Sequence, residues 1–393
     1  MAQPLNPFDS AFLADPYRYY SSLLDGPPST VMLRSPTVLV ARYHDTKAVL
    51  SDPARFSSAR TGIPELKEID AIGGAVTVMT SDPPVHTRLR RLVARGLSPE
   101  RVRVMVPRIC VITNSLLDQV PRGVEFDLMR HLAGPLAVLV ISEILGIPAE
   151  YHQQFKDWSD AIAAIVATAP GMAVPPASLQ ATADLKGFLA AEIVWRRQNP
   201  GPDLISALVA ARDAGSELSD AELLPFLSLL LIVAIETTAG LIGNGLLALF
   251  RNPEQLAMLR DTPVLMPTAL EEMLRFDPPV QGVARFCSRE SEIGGAVIAA
   301  RTPVVVMLGA ANRDPAQFPF PDRFDISRQP NDHLAFGDGI HYCVGADLAR
   351  FTASTAITAV LERFPDLRLV SEPPHYKSSL FARRLGGLRM TTG

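Results

Sequence analysis

The hydrophobic pattern changes period along the chain, and each change marks a predicted element. Val31–Leu33 and Val38–Val40 are short apolar runs on either side of Ser35-Pro36, which predicts a β-hairpin. From about residue 84 onward the apolar positions recur mainly at helical spacing; Ala346, Leu348, Ala349, Thr352, Ala353, Ile357 and Val360 form one such stripe. β-Branched runs return in Gly295–Met307 and near Leu367–Val370 and Leu388–Thr391. The expected fold is mainly α with a smaller β part (α+β). Its β-rich part is drawn from about 25–60, 285–310 and 365–393, within a single domain over 1–393.

Leu223–Ile235 is the most apolar run. Ser219-x-x-Glu222 opens it as a capping box, Pro225 interrupts it and Glu236 follows it. The run is short for a bilayer span, which needs about 20 apolar residues, so it predicts a buried core helix. Thr61–Thr80 and Ala169–Pro176 read as long loops, either binding segments or surface connections. The opening MAQPLNPFDSAF carries neither the basic nor the apolar region of a signal peptide, and a cytoplasmic protein is expected.

Composition narrows the function. Among 393 residues, 48% are hydrophobic, which supports a large core. The net charge of -4 offers no general attraction to nucleic acid or anionic lipid. Cys110, Cys287 and Cys343 lie far apart with no CxxC pair, which argues against a zinc or iron–sulfur site and suits a reducing compartment.

Cys343 has the most informative surroundings. Gly337 and Gly339 precede it and Gly345 follows, so the chain is able to turn tightly around it. The helical stripe begins directly afterwards, and a helix N-terminus favours a thiolate. An inert cysteine buried in a glycine-rich turn fits the same residues. Glu272 and Arg275 are spaced to pair on one helix face, and Pro278-Pro279 ends that helix. Glu236-Thr237 places an acid beside an alcohol in an apolar stretch, which is costly without partners or water. His86 and Arg90 share a helix face; Arg88, Arg91 and Arg95 lie roughly opposite, as a solvated basic face or a dock for an acidic electron donor.

The run Phe336-Gly-Asp-Gly-Ile-His-Tyr-Cys343-Val-Gly345 resembles the FxxGxxxCxG haem-binding signature of the cytochrome P450 family. The ExxR pair Glu272/Arg275, the PxRF-like Pro321-Asp-Arg323-Phe324 and the AGx(D/E)T-like Val233-Ala-Ile-Glu236-Thr237 follow the family's order, and the resemblance runs from about residue 10 to the end. Ala234 stands where the family usually has glycine; by the resemblance, the larger residue would either narrow the oxygen groove or trim the substrate pocket.

The resemblance implies haem b with Cys343 as axial thiolate and metal ligand, and O2 as co-substrate. It implies contacts to the cofactor from His86, Arg90, Arg285, Phe336, Gly337, His341 and Gly345, and proton delivery by Glu236 and Thr237. Glu272, Arg275 and Arg323 would form a structural triad behind the cysteine loop. The substrate pocket would draw on Arg60, Val78, Val233, Ala234, Val280, Val283, Leu380 and Phe381, a mainly apolar set suited to an apolar small molecule. No nicotinamide or flavin fingerprint and no iron–sulfur cysteine set occur. Electrons are therefore expected from an external ferredoxin and its NAD(P)H reductase. A peroxide-driven peroxygenase and a non-catalytic haem-thiolate binding protein are the alternatives.

Overall fold

A computed structural model describes residues 9–33, 35–59, 75–166, 174–213, 220–370, 374–377 and 381–392. Four helices carry or flank the site residues: α1 (Val85–Gly96), α2 (Asp220–Arg251), α3 (Met266–Phe276) and α4 (Ala346–Arg363). The strands are β1 (Ser29–Met32), β2 (Pro36–Val40), β3 (Phe56–Ser57), β4 (Glu125–Asp127), β5 (Val283–Cys287), β6 (Ser291–Ile293), β7 (Ala296–Ile298), β8 (Pro303–Val306), β9 (Arg368–Leu369) and β10 (Arg389–Thr391). The chain forms two compact units from discontinuous segments. One comprises Met1–Ser57, Thr113–Ala133 and Thr237–Gly393, the other Ser58–Ile112 and Gly134–Glu236.

The first unit contains the β structure. β1 and β2 make the expected hairpin, with Val31 opposite Thr37 and Thr30 opposite Val38. β2 then pairs in parallel with β8, and the sheet continues through β5 to β3. Side chains on a strand alternate between faces. Val38, Val40, Val304 and Val306 accordingly enter one core with Tyr43, Phe56 and Phe318. Leu39, Ala41, Val305 and Met307 enter another with Phe12 and Tyr20. Burial on both faces explains why β2 and β8 read as unbroken apolar runs rather than as alternating ones.

A second sheet, in the order β4-β10-β9, confirms the C-terminal strands and adds β4, which the hydrophobic pattern does not reveal. Phe126 is the buried residue of β4, and it pairs with Met390.

The expected core helix is present but longer than the apolar run. α2 has 32 residues, and its Glu222–Arg251 part contains an 18-residue window of mean hydropathy 2.0, long and apolar enough to cross a membrane. Most of that stretch is nevertheless buried within the protein, with Leu241, Ile242, Leu246 and Leu249 at most 1% exposed. In the first unit it approaches α3 so closely that a Cβ at Gly245 would lie 2.7 Å from the Met273 sulfur. Asn244 anchors this part by donating to the carbonyls of Arg383 (2.9 Å) and Asp277 (3.2 Å).

The second unit is helical in its described residues. Phe155, Trp158 and Phe188 pack with ring centres 5.1–5.8 Å apart between the helices His152–Val166 and Pro176–Gln198. Arg196 is 6% exposed and compensates its burial by pairing with Asp203 at 3.1 Å and Glu192 at 3.3 Å, and by donating to the Gly146 carbonyl.

Candidate active site

The cysteine loop belongs to the first unit, and backbone chemistry shapes it. Gly337 N–H donates to the Leu334 carbonyl at 2.9 Å, and Asp338 accepts from Gly339 N–H at 2.7 Å. Gly337 and Gly339 have φ of 74° and 66°, a left-handed region that other residues enter at a cost. Gly339 has a second constraint, since a Cβ there would lie 2.7 Å from the Leu50 carbonyl oxygen. A short 3-10 turn, Gly339–His341, carries His341, and Cys343 N–H then donates to the Phe336 carbonyl at 2.9 Å. Gly345 is the N-cap of α4. The half-buried Cys343 therefore precedes a helix N-terminus, as the spacing predicts.

Behind the loop, Glu272 and Arg275 of α3 are fully buried and joined by hydrogen bonds of 2.7 and 2.8 Å. Arg275 also donates to the carbonyls of Asn312, Pro321 and Arg323, and Asn312 Oδ1 accepts from Leu334 N–H at the root of the cysteine loop. The triad needs one correction. The Arg323 side chain is 64% exposed and lies 3.7 Å from Asp325, so it does not join Glu272. Its carbonyl faces Arg275 and its side chain leaves the cluster. Arg328 takes the third place, with Nε 3.2 Å from Glu272. Asn331 and the Asp325 N–H complete the coordination of that carboxylate.

Two backbone contacts join the segments of the first unit that carry expected pocket residues. Val280 bridges to Ala382, and Gln281 N–H donates to the Phe381 carbonyl at 2.9 Å. Val283 and Arg285 lie on β5, with Arg285 buried and Val283 half-buried. Arg285 donates to the Ala284 carbonyl at 2.8 Å.

In the second unit, α1 places the buried His86 and the half-buried Arg90 one turn apart. Val78 is buried at a turn closed by Thr77 and Thr80, whose hydroxyls lie 3.0 Å apart. On the opposite arginine face, Arg88 forms a two-point ion pair with Glu222 of α2, while Arg91 is exposed. Glu222 thereby ties α1 to α2; Ser219, its partner in the expected capping box, lies outside the described residues. Arg60, Ser219, Leu380 and most of Thr61–Thr80 lie outside the described residues, as do the side chain of Arg95 and residues 169–173 of the Ala169–Pro176 segment, whose last residue, Pro176, opens a helix.

α2 is less completely covered where its sequence turns polar. Val233, Ala234, Glu236, Thr237 and Thr238 are half-buried, while Ile235 and the following turn are buried. The acid and the alcohol thus occur where the core helix has an open stretch.

These residues fit a haem-thiolate group. Among the described residues no cluster of three His, Cys, Asp or Glu is arranged to hold a metal ion, so Cys343 offers a single sulfur. A single thiolate is what the protein would have to supply to a haem iron, whose nitrogen ligands come from the porphyrin. The loop also leaves an open face: a Cβ at Gly345 would meet no atom within 4 Å, and one at Gly337 only the His341 carbonyl at 3.8 Å.

The family model "Cytochrome P450" matches residues 17–262 and 258–384. The chain belongs to the cytochrome P450 family. It is similar to cytochrome P450 monooxygenase PikC of Streptomyces venezuelae, 42% identical over 92% of this chain and 87% of that protein. It is also similar to the 6-deoxyerythronolide B hydroxylase of Saccharopolyspora erythraea, 38% identical over 91% of each chain. The solved structure of the bacillaene polyketide synthase P450 PksS of Bacillus subtilis 168 matches with a TM-score of 0.91 and 33% identity, over 99% of this chain and 100% of that one. This P450 is accordingly an oxygenase that uses haem b, held by a cysteine thiolate, with O2 as co-substrate. It takes a small-molecule substrate and receives electrons from a redox partner.

Two features escaped sequence reasoning. Arg328 lies outside the PxRF-like segment, and Glu271 is the unremarked neighbour of Glu272. The doubled acid Glu271-Glu272 was the available signal, since adjacent helical positions face about 100° apart and need separate partners.

Proposed function

We propose that this P450 hydroxylates or O-dealkylates a mainly apolar small organic substrate in the cytoplasm, as one domain, with electrons from an external ferredoxin and its reductase. Bound haem supplies O2 activation, with sulfur electron density favouring O–O cleavage. Cys343 holds the iron, and the Phe336 carbonyl fixes the backbone beside that sulfur. His86, Arg90, Arg285 and His341 bind the cofactor's carboxylates, a task suited to cationic and N–H donors. Glu236 and Thr237 hold and move protons between water and the site of O2 reduction. Val78, Val233, Ala234, Val280, Val283 and Phe381 would supply apolar side chains that orient substrate.

The observation that carries this reading is the acid–alcohol pair at the open stretch of α2, in a chain that also has the complete cysteine loop. A hydroxylase and a polyketide-synthase P450 among the relatives support hydroxylation, with polyketides first in a substrate library.

The test is turnover of that library by purified protein with ferredoxin, reductase and NADPH, against hydrogen peroxide alone. Faster turnover with the redox chain supports the monooxygenase reading. Faster peroxide turnover assigns a peroxygenase, and spectral binding without any turnover assigns a ligand-binding protein.

A further inference from the structure

A second charge pair, which the proposed function does not use, supports the cysteine loop. Glu271 of α3 accepts from Nε and Nη2 of Arg350 on α4, each at 2.8 Å. His333 Nε2 lies 3.1 Å from the same carboxylate. His333 Nδ1 accepts from Ala335 N–H at 3.2 Å, which leaves the ring proton on Nε2 to be donated to Glu271. The acceptors and donors of this group are thus consistently matched.

The Arg350 guanidinium also reaches the loop itself. Its carbon lies 4.5 Å from the centre of the Phe336 ring, and its Nη1 is 3.4 Å from the Tyr342 hydroxyl. Phe336 is the residue whose carbonyl holds Cys343 N–H, and Tyr342 immediately precedes Cys343. A planar guanidinium can satisfy a carboxylate with its edge while its face covers an aromatic ring; an ammonium cannot do both. Both members are partly shielded, with side chains 28% and 30% exposed.

We propose that Arg350 and Glu271 are positioning residues for the Cys343 sulfur, acting as a balanced charge pair that stiffens its loop and sets the electrostatic potential there. This rests on Cys343 being the iron ligand. A cation near the sulfur favours the reduced, more negative iron centre, and an anion disfavours it. With both charges present the two effects oppose each other.

The test is the haem reduction potential of the loaded protein, measured by spectroelectrochemical titration. Glu271→Gln leaves the cation unbalanced and shifts the potential upward. Arg350→Gln leaves the carboxylate unbalanced and shifts it downward. The double variant returns close to the wild type. Shifts of the same sign in both single variants, or no shift in either, overturn the proposal, because mere loosening of the loop has no reason to reverse sign.

If Arg350→Gln does not bind haem, Arg350→Lys decides the point. It keeps the charge but loses the two-point contact. Its potential stays near the wild type, while its thiolate-type carbon monoxide band decays faster to the thiol-type band; a shift equal to that of Glu271→Gln contradicts the charge argument. A wild-type protein without the thiolate-type band contradicts the Cys343 assignment itself, whereas a normal band with unshifted potentials overturns the charge-pair proposal alone.

Discussion

Arg275 meets Glu272 through two hydrogen bonds in a site from which both side chains are wholly excluded from solvent. Breaking such a pair from one side strands a buried charge, which costs roughly 3–5 kcal/mol. Arg275→Met is therefore expected to lower folding stability by about that amount, measured by circular dichroism in guanidinium.

The third arginine gives a sharper comparison. Arg328 contacts the same carboxylate, whereas the Arg323 side chain is largely in solvent. Arg328→Ala should cost about 1–3 kcal/mol, since Glu272 keeps Arg275 but loses a buried donor. Arg323→Ala should stay within about 0.5 kcal/mol of the wild type, since its backbone carbonyl is retained. Equal losses in the two variants would show that the assignment is wrong.

Acid should expose the role of Glu271. Burial pushes its carboxyl up, but hydrogen bonds from Arg350 and His333 outweigh burial and hold it at about 2, below the ordinary value of 4.5. A carboxyl depressed by folding contributes stability that is present above its unfolded value and is lost as pH falls towards the folded one. The stability gap between wild type and Glu271→Gln should consequently narrow between pH 5 and pH 3, in denaturant titrations across that range. A gap that widens with acid would contradict the pairing.

Thr237 is best tested by coupling. Thr237→Ala should consume NADPH at a rate near the wild type with a ferredoxin chain, while product per NADPH falls severalfold. Unchanged coupling would remove Thr237 from proton delivery.

How much of this was legible depended on the range of each interaction. The cysteine loop was readable because its glycines, cysteine and following helix are contiguous. The β1–β2 hairpin was readable for the same reason. β4 was not: it is three residues long, only Phe126 is buried, and its partner Met390 lies 264 positions away. Glu271 and Arg350 are 79 positions apart, so their pairing depends on how α3 and α4 meet. Arg323 was misread because a motif gives a residue's place in the chain, whereas the turn after Pro321 decides which way its side chain points.

The account depends most on Cys343. Its direct test is the absorption spectrum of the reduced protein with carbon monoxide, recorded for wild type and Cys343→Ala at matched haem content. The wild type is expected to show the strongly red-shifted Soret band of a thiolate-ligated iron, and the variant to lack it. Persistence of that band in Cys343→Ala would contradict the assignment.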